Sequence, residues 1–226
     1  MGPALKPLVI VGNGEIAEMA CEYFTYDSDR DVAAFAIGAD YIKASALHDR
    51  PVVPLDELAS TYPPDLYDAF VAIGDGQLNR LRRRHVEGCK AMGYGLASYV
   101  SSKAFVWRNV EIGENCFILE HNVLQPFTTI GDNVTLWSGN HVGHRSVIEE
   151  DVFMSSHVVV SGFCRIGARS FLGVNAALAH QVQVAADNFI AMGAVITAST
   201  EPDSIYQGNP AERRGLSAKR FCRVRD

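Results

Sequence analysis

The chain has 226 residues, enough for one large or two small domains, with 48% hydrophobic residues and a formal net charge of -6. That charge, with a sequence pI near 5.6, argues against a nucleic-acid or other polyanion-binding protein, which needs a basic face. No apolar run reaches the length of a membrane span and no signal peptide is visible, so the expected compartment is the cytoplasm. The five cysteines (Cys21, Cys89, Cys116, Cys164, Cys222) have neither metal-ligand nor disulfide-framework spacing and read as reduced thiols there.

In chain order, LVIVGNGEIAEMACEYF reads as a buried strand, a glycine turn and an amphipathic helix. Val32 to Ile37 is a second strand, Pro51 to Pro54 is short and extended, and a helix begins near Leu55. Asp68 to Ile73 is a third strand, and the pattern predicts a long helix over 77–92 carrying Arg80, Arg82, Arg83 and Arg84. Strands alternating with helices predict a small parallel α/β domain, Rossmann-like, over residues 1–99. Its first turn, Gly12-Asn13-Gly14, shortens a dinucleotide fingerprint. Free N–H groups at a helix start attract phosphate there, although a tight turn without a ligand has the same sequence.

From Val106 to Ile196 an aliphatic residue, Met154 included, recurs at every sixth position. Four places after each stands a small or medium side chain, as at Cys116, Asn122 and Thr128. A period of six fits no α-helix. It fits a β-solenoid in which three hexapeptides close an 18-residue coil. The solenoid is placed at 100–198, with about five coils, followed by a C-terminal cap or tail over 199–226 that reads as a polar exit and a short basic helix.

The units IGENCF, IGDNVT, VGHRSV, IEEDVF, IGARSF and LGVNAA resemble those of the hexapeptide-repeat acyltransferases. That resemblance implies a left-handed parallel β-helix. A small α/β domain ahead of such a solenoid, with the ending Gly208-Asn209-Pro210-Ala211, resembles the sugar acyltransferases of the PglD and NeuD type over nearly the whole chain. The first turn departs from that family's glycine pair and histidine, having Asn13-Gly14-Glu15 instead.

The resemblance implies acetyl-CoA as co-substrate, a nucleotide-linked amino sugar as acceptor and no metal. A solenoid with no protecting loop leaves flat faces bearing Trp107, Phe127 and Trp137, which predicts a homotrimer of parallel solenoids with the active site in the groove between neighbours. Gly12, Asn13 and Gly14 would then meet the nucleotide sugar, and Gly162, Gly173, Val174, Ala191 and Gly193 would line the path of coenzyme A. In GNHVGHRSVI, His144 aligns with the family's general base, a role suited to imidazole because it titrates near neutral pH. His141 is the second candidate. The family often has a carboxylate directly after the base, where this chain has Arg145. The partner orienting His144 is left open between His141 and an acidic group of another subunit.

Sugar O-acetylation uses the same parts. Two other classes explain less. A hexapeptide zinc carbonic anhydrase would use pairs such as His144 with His180 and His121 with His157, but each lacks its third ligand. A bare scaffold leaves both the α/β domain and the concentration of histidines unexplained.

Overall fold

The computed structural model describes residues 5–225. The chain divides into two compact units. One runs to Gly74 and resumes over Arg82–Tyr99; the other comprises Asp75–Leu81 and everything from Val100. Segment 75–81 thus belongs with the solenoid, not with the N-terminal domain read as 1–99, and residues 199–226 form no unit of their own.

The first unit contains β1 (Leu8–Val11), α1 (Glu15–Tyr26), β2 (Val32–Ile37), β3 (Ala46–Leu47), β4 (Arg50–Pro54), α2 (Leu58–Thr61) and β5 (Asp68–Val71). The sheet has the order β3-β4-β2-β1-β5, parallel except for the β3–β4 hairpin. All four residues of β1 are fully buried, as expected of a central parallel strand covered on both faces. Helix α1 buries Ala17, Ala20, Cys21 and Phe24, spaced i, i+3, i+4, i+7, on one stripe. Phe24 meets Phe70 of β5 edge-on, with centroids 5.1 Å apart. Because β2 and β5 flank β1, the turn after Val11 opens at the point where the strand order reverses.

The long helix expected over 77–92 begins instead at Arg80 and runs to Ala91 as α3. Gln77, Leu78 and Asn79 have φ of 60°, 52° and 63°, which a right-handed helix cannot contain. Tertiary contacts hold them there. Leu78 is buried against Ile205 and Ala218, and the Asn79 amide donates to the Asp151 carbonyl at 2.6 Å.

The second unit is a left-handed parallel β-helix. Each hexapeptide contributes one two-residue strand, and three faces alternate around the coil. The first carries 105–106, 123–124, 141–142, 159–160, 177–178 and 195–196; the second runs from 111–112 to 183–184; the third from 117–118 to 189–190. The aliphatics of the six-residue period point inward and stack in columns, such as Leu124, Val142, Val160 and Leu178.

The small residues turn inward at the corners, where the polar ones satisfy main chain that the bend exposes. Asn140 is fully buried; its amide donates to the Trp137 carbonyl at 2.5 Å and its Oδ1 accepts from Val158 N–H at 2.7 Å. One residue per corner takes a left-handed φ, as at Asn133 (58°), Arg145 (57°) and Asp187 (61°).

The C-terminal segment differs from the tail expected. Ser204–Gln207 adds a parallel strand beside 189–190 on the third face, Glu212–Ser217 returns antiparallel to it, and only Ala218–Phe221 is helical. The extra strand alternates its two sides: Ile205, 6% exposed, is in register with Phe189 and packs with Leu78 and Ala218, whereas Tyr206 follows Ile190 and packs against the inward columns.

Candidate active site

His144 and His141 occupy different parts of the solenoid. His141 stands on the flat of the first face, in register with Val123 below and Val159 above. His144 stands exposed at the corner that follows. Its backbone N–H donates to the side-chain oxygen of Gln125 at 2.9 Å, and its Nδ1 lies 3.3 Å from the same oxygen. Gln125, one coil earlier, escaped the sequence reading. The signal available was its place one coil below the residue that precedes His144, which only coil geometry makes a contact.

Arg145 does not approach the imidazole as a strand neighbour would. It takes the left-handed corner conformation, and its guanidinium lies over the Phe127 ring, 4.4 Å from the centroid.

Gly162, one coil above His144, lies against the imidazole. A Cβ built there would lie 2.6 Å from Cε1 and 2.9 Å from Nε2 of His144. The space that the missing side chain leaves is filled by the imidazole itself. Phe163 meets His144 edge-on at 5.1 Å, and His180, the next residue in the column, is 6.4 Å away between ring centroids. His144, Phe163 and His180 thus form an exposed aromatic and imidazole cluster at this corner. No group of three or more His, Cys, Asp or Glu side chains is placed to hold a metal ion among the described residues.

The other residues expected on the donor path gather at the opposite edge of the first face. Gly193 N–H donates to the Val174 carbonyl at 2.8 Å, and a Cβ on Gly173 would meet the backbone N of Met192 at 2.6 Å. Val174 and Met192 are 38% and 75% exposed. Ala191 lines an open cavity of about 370 Å³ with Phe189, Ile205, Leu216 and Phe221. Within one chain, Gly173, Val174, Ala191 and Gly193 cluster together, whereas Gly162 lies with His144.

In the first unit, Gly12 has φ 130°, and a Cβ on it would meet the Ala72 carbonyl oxygen at 2.6 Å, so only glycine fits. Gly14 is the N-cap of α1 and gives the helix no side-chain cap. Asn13 turns its amide to the Tyr41 carbonyl at 3.3 Å, and Glu15 is exposed. Tyr41, beyond β2, is 69% exposed.

The family model of the bacterial transferase hexapeptide (six repeats) matches residues 109–144. The whole architecture is similar to PerB from Caulobacter crescentus, solved with CoA and GDP-perosamine. The TM-score is 0.84 at 27% identity, covering 94% of this chain and 99% of that one. It is also similar to the acetyltransferase domain of PglB from Neisseria gonorrhoeae, solved with acetyl coenzyme A, at 0.82, 25% identity, 93% and 100%.

Among curated proteins, an acyl-[acyl-carrier-protein]–UDP-N-acetylglucosamine O-acyltransferase of Sinorhizobium fredii is 26% identical over 120 residues. The match covers 50% of this chain but only 44% of that protein, so the chain spans less than half the length of this curated relative. Residues 109–144 therefore carry the transferase hexapeptide repeat. The chain's α/β-plus-β-helix plan is that of the nucleotide-sugar acetyltransferases of the PglD and NeuD type.

Proposed function

We propose that the protein is an acetyl-CoA-dependent N-acetyltransferase acting on a nucleotide-linked amino sugar, with His144 as general base. The observation that carries this reading is the likeness, over 94% of the chain, to an enzyme solved with CoA and GDP-perosamine. An exposed imidazole at a solenoid corner adds the chemistry.

The acceptor amine attacks the thioester carbonyl carbon. Its proton passes to the imidazole, backbone N–H groups hold the oxyanion, and collapse breaks the C–S bond. The imidazolium then returns the proton to the departing thiolate. No enzyme nucleophile is needed, because the acceptor itself attacks.

The turn at Gly12, Asn13 and Gly14 is proposed for the phosphates of the nucleotide. The fully buried strand ahead of it, the reversal of strand order and the uncapped start of α1 support that placement. Acetyl-CoA is proposed to run between the corner of His144 and the cluster of Gly173, Val174, Ala191 and Gly193. These flank the first face from opposite edges, so a groove between two solenoids would join them. We therefore propose a homotrimer, whose contacts would cover Phe105, Trp107 and Phe127, 52%, 42% and 54% exposed. A fully active monomer in sedimentation removes this arrangement. No helix among the described residues is long and apolar enough to cross a membrane. The proposed compartment is the cytoplasm, which suits five free cysteines, four of them buried.

The test is a panel of dTDP-, UDP- and GDP-amino sugars with acetyl-CoA, following release of free thiol. One sugar supporting turnover, with mass and alkali stability of an amide in the product, is expected. Sugar O-acylation is the second reading, favoured by the O-acyltransferases that match half of the chain. An alkali-labile ester product would select it.

Gly162→Ala separates two roles for that glycine. The atoms nearest its methyl are Cε1, Nε2 and Nδ1 of the His144 ring, an exposed side chain that can swing aside, so the fold should persist. Turnover should fall about tenfold or more as the imidazole leaves its place. An unchanged kcat would show that the contact with His144 is dispensable. Reduced acetyl-CoA affinity in calorimetry would support a place for Gly162 on the donor path as well.

A further inference from the structure

We infer that Gln125 is the positioning residue of the base: its side-chain oxygen holds His144 in the tautomer with the proton on Nδ1 and the lone pair on Nε2. The inference rests on the transferase reading only for its kinetic consequence. The geometry stands without it.

A side-chain amide has two ends, an oxygen that accepts and a nitrogen that donates. Here the backbone decides. The His144 main-chain N–H can only donate, and it lies 2.9 Å from the Gln125 atom in question, so that atom is the oxygen. The same oxygen is 3.3 Å from Nδ1 of the ring. A carbonyl oxygen cannot donate, so Nδ1 carries the hydrogen. Nε2 is then the basic nitrogen, the end of the ring that reaches over Gly162.

Gln125 is itself anchored at both ends of its peptide. Its N–H donates to the Val142 carbonyl at 3.0 Å, and its carbonyl accepts from the Thr128 hydroxyl at 2.7 Å. Its backbone therefore follows the coil, and the side chain spans one coil spacing to reach His144. Phe163 closes the ring in from one side.

This arrangement accounts for Arg145 in the place where relatives often have a carboxylate. The acceptor for Nδ1 comes from the coil below, not from the next residue, so the following position is free to serve the corner. Arg145 does so over Phe127. The lock sets direction without adding charge.

The experiment begins on the full-length protein without substrates. Long-range proton–nitrogen correlation on histidine-labelled protein, above pH 8, reads which ring nitrogen of His144 is protonated. His144→Ala serves only to assign the signal. The expected wild-type signature is Nδ1–H, lost or mixed with the other tautomer in Gln125→Leu and kept in Gln125→Glu, which retains the acceptor. In turnover, Gln125→Leu should lose about 5- to 10-fold in kcat with both KM values unchanged, the worth of one ordinary hydrogen bond. Gln125→Glu should recover most of it.

A wild-type Nε2–H signature overturns the inference, as does an unaltered tautomer in Gln125→Leu. Equal losses for Leu and Glu overturn it too, because packing and not the acceptor would then be responsible. If the tautomer behaves as expected but no amino sugar is acetylated, the assignment of Gln125 stands and the transferase reading falls.

Discussion

If His144 is the general base proposed, His144→Ala is expected to lower kcat by about 10²- to 10⁴-fold, the usual contribution of such a base, and to leave both substrates bound. The loss appears in kcat and not in KM, because a proton acceptor acts as the new bond forms and contributes little to the ground state. His141→Ala costs less. It stands on the flat of the first face between Val123 and Val159, one corner removed from the Gln125 and Gly162 seat that holds His144. The opposite ranking in steady-state kinetics would transfer the role to His141. Near-wild-type rates for both variants would mean that the amine arrives neutral and loses its proton to water, with the solenoid acting through placement alone.

The second large effect is on stability. Asp187 sits at a left-handed corner of the upper coils, its side chain only 10% exposed. Arg80 reaches its Oδ1 at 2.7 Å, Arg169 at 3.0 Å, and Lys219 approaches Oδ2 at 3.6 Å. One carboxylate therefore ties together the segment 75–81, the coil below and the C-terminal helix. Asp187→Asn keeps the size and tolerates the left-handed φ, but it leaves two largely buried guanidinium groups without a counter-charge. The expected loss is about 3–5 kcal/mol.

Both tryptophans, Trp107 and Trp137, lie in the solenoid, so their fluorescence during urea unfolding reports this unit and not the α/β domain. A midpoint within error of wild type would show that the cluster is solvated in solution.

The same carboxylate predicts a pH dependence. Burial pushes its pKa up, but the hydrogen bonds from Arg169 and Arg80 outweigh burial and hold it below the ordinary carboxylate value of 3.8. A folded pKa below the unfolded one means that the unfolded chain binds the proton more readily. The contribution is therefore complete above the unfolded value and disappears as the pH falls through the folded one. The stability gap between wild type and Asp187→Asn should narrow as the solution is acidified below about pH 4.

The sequence alone determined the solenoid, its 18-residue coil and its inward columns, because aliphatics recurring at every sixth residue share one buried side only when short strands wind into stacked coils. It also determined the order of β1, α1 and β2, where a continuous apolar run and an i, i+3, i+4, i+7 stripe have distinct periods. The alignment with a family motif singled out His144 as the candidate base, but not the residues that surround it.

Three features needed the tertiary structure. The start of α3 moved from Gln77 to Arg80 because Leu78 and Asn79 are held by partners 72 or more residues away, and local propensity is blind to them. The C-terminal segment is a strand pair because Ile205 finds Leu78 and Ala218 as partners and Tyr206 packs on the solenoid core, contacts that the local sequence does not reveal. The seat of His144 joins Gln125, His144 and Gly162, which are far apart in sequence and adjacent only once coils stack. A period can state that residues 18 apart are neighbours. Which side chain turns toward which, and through which atom, is decided by the left-handed corner between them.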